Sequence, residues 1–120
     1  MAMGDELMRR ILRWVVAVMR FIGDVSRTTA NVSFIRQLAD SAGSTGANFV
    51  EARSARSRKE FISSTGISRK ECKESLFWLT VLKEINSVLA PRIDELIKEG
   101  NEIASILTTI GKNAKMIKLL

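Results

Sequence analysis

The chain is predicted to be all-α, an antiparallel up-down-up-down four-helix bundle, and three features of the sequence carry that expectation. One proline, no tyrosine and seven glycines in 120 residues, with an apolar fraction of 46%, lean away from β-structure and from disorder. Apolar residues recur at three- and four-residue steps through four separate segments, the period that places them along one helix face. The breaks between these segments are only a few residues long, which favours antiparallel neighbours. A single domain spanning residues 1–120 is expected, long enough to bury a core without disulfides or metal, and the chain carries no internal repeat or low-complexity tract.

The first helix should run from about Asp5 to Thr28, with Asp5 and Glu6 in the first turn, where the helix dipole favours negative charge. Leu7, Ile11, Val15, Val18, Ile22 and Val25 form one apolar stripe. Met8, Leu12, Val16 and Met19 form a second beside it, with Trp14 and Phe21 elsewhere. A stripe that wide exceeds what one bundle interior takes up, so cover from outside the protomer is expected. Arg9 and Arg10 ahead of an apolar run imitate a signal peptide, but Arg13 and Arg20 interrupt it and leave only Trp14 to Met19 uncharged. Neither an export signal nor a membrane span is therefore expected.

The second helix is predicted over 31–53, capped by Asn31 and burying Phe34 or Ile35, Leu38, Ala42, Thr45 and Phe49. Gly43 and Gly46 each cost about 1 kcal/mol against alanine in a helix interior. Close approach of a neighbour along Ala39, Gly43 and Ala47 would compensate; the rival reading is that the glycines break the helix in two.

The third helix is predicted over 58–86, opened by the capping box Ser57, Arg58, Lys59, Glu60. Ile67, Trp78, Val81 and Ile85 lie on one stripe, and Phe61, Cys72, Leu76, Leu79 and Leu82 on another. Ser63, Ser64, Thr65, Gly66 and Ser68 suit tight packing against the small residues of the second helix. Pro91 suits the first turn of a fourth helix over 91–117, so the chain reverses between Asn86 and Ala90. Ile93, Leu96, Gly100, Ile103, Leu107, Ile110, Ala114 and Ile117 then form a bundle seam.

A net charge of +6 points to polyanionic partners, nucleic acid or an acidic protein face. With no histidine, no Ser-His or Cys-His pair and no imidazole metal site can form, so an enzyme is not expected, nor a cofactor. Glu71 and Glu74 offer half of a carboxylate-metal pattern, and Arg69, Lys70 and Lys73 around them favour a solvated, salt-bridged face. Gly43 and Gly46 match no phosphate-binding glycine loop. Cys72 is the only cysteine and reads as a buried, inert thiol suited to the cytoplasm. Trp14 and Trp78 read as core or interface anchors before they read as base-stacking platforms.

The dense basic cluster of Arg53, Arg56, Arg58 and Lys59 is the candidate site, extended by Arg36 and by Arg9, Arg10 and Arg13. Three readings compete there: pairing with Glu51 and Glu60, contact with nucleic-acid phosphates, and docking of a protein.

The run GANFVEARSARSRKEF from Gly46 to Phe61, followed by KECKESLFWL from Lys70 to Leu79, resembles the four-helix-bundle proteins encoded within large-subunit (23S) rRNA intervening sequences. The likeness extends from about Arg36 to the end of the third helix; Phe49 and Phe77 stand where such sequences commonly carry tyrosine. The resemblance implies an antiparallel four-helix protomer assembled as a ring-like homopentamer, without established catalytic activity. It also implies kinship with the accessory variability determinant of diversity-generating retroelements, which binds nucleic acid and a reverse transcriptase. Asn48, Glu51, Arg56 and Glu60 match the family pattern and are expected to stitch the second helix to the third at one rim of the ring. The function expected is a non-enzymatic homo-oligomer binding nucleic acid through its basic surface with little sequence preference. The alternative is an adaptor docking a protein partner such as a reverse transcriptase.

Overall fold

The computed structural model describes the backbone of residues 4–119 and the side chains of residues 4–113. Four long helices, α1 (Gly4–Asp24), α2 (Thr29–Arg53), α3 (Arg58–Ile85) and α4 (Ala90–Leu119), are joined by short connections, with a single 3-10 turn at Ser87–Leu89. No strand occurs among the described residues.

Contacts along the helices give their directions. Trp14 meets Leu96 and Asp24 meets Arg92, so α1 and α4 run opposite ways. Ser41 meets Ser75 while Asn31 meets Asn86, so α2 and α3 do likewise. Each helix packs on its two chain neighbours, with α4 closing back on α1, and the backbones of the diagonal pairs stay apart. The result is an up-down-up-down bundle measuring 52 × 23 × 21 Å.

The first helix stops four residues short of expectation, and the reason is a local cap. The Val25 N–H donates to Ile22 O, and the Arg27 guanidinium donates to both Ile22 O (2.9 Å) and Val25 O (3.3 Å), satisfying carbonyls left open at the helix end. Its buried seam is Leu7, Ile11, Trp14, Val18, Phe21, Ile22 and Val25. Trp14 and Phe21, which the stripe reading set aside, belong to it, and Val15 moves to its half-buried margin. Alternating four- and three-residue steps from Leu7 lead through Trp14 and Phe21, so the heptad period favours them over Val15.

Thr28, not Asn31, caps α2: its hydroxyl accepts from the Asn31 N–H at 3.1 Å. Asn31 is instead buried in the first turn, in a reciprocal amide pair with Asn86 (3.0 and 2.9 Å) that ties the start of α2 to the end of α3. The helix continues unbroken through Gly43 and Gly46. The expected small-residue groove is not there: a Cβ on Gly43 would meet nothing within 4 Å, and Ala47 is exposed. Only Gly46 faces a neighbour, with Ile11 and Val15 methyls at 3.7 Å from a Cβ position.

The α2–α3 seam is small and polar. Ser41 and Ser75 share a hydrogen bond of 2.7 Å, and the Ser68 hydroxyl donates to Thr45 O at 2.7 Å, all in the interior. Of the two apolar stripes of α3, the one with Cys72, Leu79 and Leu82 enters the core, while Ile67 and Ile85 are exposed. Trp78 is half-buried between Phe34 and Phe77, at ring separations of 5.8 and 5.0 Å.

On α4 the seam Ile93, Leu96, Gly100, Ile103 and Leu107 is buried as expected, with Ile110 at its edge; Ala114 and Ile117 lie outside the described side chains. Close approach occurs at Gly100, where a Cβ would sit 2.5 Å from Leu76 Cδ2 and 3.1 Å from Trp14 Cζ2. The missing side chain lets the Trp14 indole N–H reach Leu96 O (2.9 Å) and the Cys72 thiol reach Gly100 O (3.3 Å).

Candidate nucleic-acid interface

The basic cluster forms at the corner where α2 hands over to α3. Ser57 ends the connection and caps α3, its hydroxyl accepting from the Glu60 N–H at 3.1 Å. Glu60 reaches back to accept from the Arg56 N–H at 2.8 Å, one residue before the cap itself, so the capping box is present in a shifted form. This fixes the turn. Arg56, Arg58 and Lys59 project from it exposed, and no carboxylate pairs with them among the described residues. Glu51, Ser54, Arg56, Glu60 and Ser64 line a shallow recess beside them.

Two of the candidate cations are engaged inside the protomer. Arg53 pairs with Asp5 and so joins the end of α2 to the start of α1. Arg10 makes a two-pronged contact with Glu99, Nε to Oε2 at 3.0 Å and Nη2 to Oε1 at 2.6 Å, with Glu102 at 3.6 Å. That hydrogen bond to Glu99 raises the Arg10 pKa further, leaving a structural α1–α4 tie. Arg9 and Arg13 are exposed on the first half of α1, the end of the bundle that also carries the cluster. Arg36 is exposed, but 17 residues before Arg53 on the same helix it stands about 25 Å away along the axis and does not join them.

The quartet expected to stitch α2 to α3 does so only at the turn. Asn48 donates to Ser44 within its own helix, and Glu51 makes no hydrogen bond or ion pair to α3 among the described residues, only lining the recess. The stitching falls instead to Ser41 with Ser75, Ser68 with Thr45, and Asn31 with Asn86. Small polar residues on both helices foreshadowed tight packing, but partners 23 to 55 positions apart leave no local signal.

Away from the corner, burial pushes the Cys72 thiol up to about 12, so it stays protonated at neutral pH. Burial, and secondly Glu74, raises the Glu71 carboxyl above its ordinary value. No described helix is long and apolar enough to cross a membrane.

A second surface is apolar. Leu12, Val16 and Met19 make a stripe on α1 that is 57%, 38% and 37% exposed, bordered by Met8 and Val15, which are half-buried against the core. Phe77, at 58%, stands out from α3 in the same way.

No curated protein matches the chain. Among solved structures, it is similar to a protein with unknown function from the S23 ribosomal protein family of Bacteroides thetaiotaomicron VPI-5482. That likeness has a TM-score of 0.84 at 25% identity, covering 91% of this chain and 97% of the other. The family described as 23S rRNA-intervening sequence protein matches residues 6–109, from the first turn of α1 well into α4. The match takes in all four helices, the polar α2–α3 seam and the basic corner, and the chain belongs to the 23S rRNA-intervening sequence protein family.

Proposed function

We propose that this protein is a non-enzymatic, homo-oligomeric nucleic-acid-binding bundle, a ring of five protomers in the cytoplasm, that holds its ligand by phosphate contact with little sequence preference. The observation that carries the reading is the corner of Arg56, Arg58 and Lys59, held by a capped turn and left without carboxylate partners among the described residues. Arg9 and Arg13 extend the positive surface on the same end of the bundle; Arg53 and Arg10 position it by tying α1 to α2 and α4. A turn whose backbone is already held presents its cations without the entropy loss of ordering a loop, and repetition round a ring multiplies the field.

Oligomerisation is supported by the α1 stripe. Each large apolar side chain removed from water contributes roughly 1.5 to 3 kcal/mol, enough for a few such positions per protomer to hold a ring together. The test of binding is a double charge reversal, Arg56→Glu with Arg58→Glu, measured against single-stranded RNA and duplex DNA at low salt. Affinity should fall at least tenfold for both. Unchanged affinity clears the corner of the role and favours the rival reading, an adaptor that docks a protein such as a reverse transcriptase.

A further inference from the structure

A recess of about 240 Å³ opens between α3 and α4, roughly 10 Å along α3 from Arg58 and outside the basic corner. Ile62, Thr65 and Gly66 from α3 and Leu107, Thr108 and Gly111 from α4 form its walls, apolar at Ile62 and Leu107, with Arg69 and Lys112 also in the lining and no carboxylate. A Cβ on either glycine would meet nothing within 4 Å, so the space is open.

Thr65 is the unusual member. It is 1% exposed, yet its hydroxyl has no hydrogen-bond partner. Thr45, Thr80, Thr108 and Thr109 all donate to the carbonyl four residues back, the ordinary solution for a helical threonine. Thr65 forgoes it, although an unpaired buried hydroxyl is costly. Beside it, Arg69 uses only Nε, donating to Thr108 Oγ1 at 2.6 Å. That bond fixes the guanidinium plane, and its remaining N–H groups have no partner among the described residues.

A buried donor without an acceptor, an anchored guanidinium, an amine and no negative charge make a cavity that asks for an oxyanion. We propose that this recess seats a phosphate group, and that the group belongs to the backbone of a nucleic-acid strand that also crosses the Arg56–Lys59 corner. This rests on the nucleic-acid reading above. Positions 58, 62, 66 and 69 follow one another at helical spacing, so corner and recess lie along one face of α3. The Thr65 hydroxyl and the Arg69 Nη groups donate to phosphate oxygens, and Lys112 neutralises the charge.

Inorganic phosphate titrated into the ¹⁵N-labelled protein reads the seat directly. The amide signals of Gly66 and Gly111 should shift and saturate. Thr65→Val with Lys112→Gln should weaken that binding about tenfold, as expected on losing a charge-assisted hydrogen bond. Thr65→Val by itself should leave the ligand-free fold at least as stable, because no bond is lost; this separates a ligand role from a structural one. Single-stranded RNA should also bind the double variant more weakly.

If phosphate leaves both glycines unmoved, or shifts them equally in the double variant, the seat does not exist, while RNA binding at the corner is untouched by that result. If phosphate binds but RNA affinity ignores the double variant, the seat takes a free phosphate and the strand assignment is overturned.

Discussion

At the scale of single residues, the two informative glycines behave in opposite ways. Gly100 lies where Trp14 and Leu76 leave no room, so Gly100→Val should lose about 1–3 kcal/mol through overpacking, measured by urea unfolding. Gly43 faces open space in mid-helix, and Gly43→Ala should gain about 1 kcal/mol in the same assay. Sequence alone treats both as helical glycines, because what distinguishes them comes from other helices. Asn31 makes the same point: it looks like a cap, but the amide of Asn86 draws it inward and Thr28 takes the capping role. Asn31→Ala should cost about 1–3 kcal/mol by leaving the Asn86 amide short of a partner, and Asn31→Ala with Asn86→Ala should cost less than the sum of the two.

Glu71 gives a pH signature. Burial and Glu74 raise its folded pKa, so the folded state holds a proton more readily than the unfolded chain does. Stability linked to this group is therefore present at low pH and lost as pH rises through the raised folded value. Glu71→Gln should stabilise the protein at pH 7 by about 0.2–0.5 kcal/mol, the size of a like-charge helical pair. That advantage should vanish below the ordinary carboxylate range, as read by denaturant midpoints across pH.

At the scale of elements, helical period carries most of the fold. The α4 seam is legible because alternating steps of three and four leave one arrangement, and Pro91 with the reversal at 86–90 marks its start. The α1 stripes are legible as a surplus but not in their assignment. With apolar residues on so much of the helix, only the heptad phase and the indole bond to Leu96 select Trp14. The α3 stripes divide for a related reason: the small polar first half follows α2, and this turns Ile67 and Ile85 outward. The exposed α1 stripe should act as an intersubunit surface. Leu12→Glu with Val16→Glu should keep full helical circular dichroism yet reduce the mass seen by light scattering from several times 13.4 kDa to that value. A wild-type protein that runs as a monodisperse monomer at micromolar concentration contradicts the ring.

At the scale of the whole molecule, charge is distributed with a purpose that composition only hints at. The ion pairs Arg10–Glu99, Arg53–Asp5, Lys83–Asp94 and Arg92–Asp24 all link different helices. Exposed pairs of this kind contribute little stability each. They engage Arg10, Arg53, Lys83 and Arg92, while among the described residues Arg56, Arg58, Lys59, Arg9 and Arg13 are left without an ion pair at one end, as Arg20, Arg36, Lys70, Lys73 and Lys98 are elsewhere on the surface. The corner was legible because its cations are adjacent in sequence. The recess was not, since Thr65, Arg69 and Lys112 fit no spacing motif and meet only when α3 and α4 pack.

Phosphate contact at this end of the bundle should show itself in the salt dependence of single-stranded RNA binding. The logarithm of the association constant should fall linearly with the logarithm of salt concentration, with a slope of several units that does not change with RNA sequence. Binding that is absent at low salt, or that is indifferent to salt, contradicts phosphate contact by the basic corner.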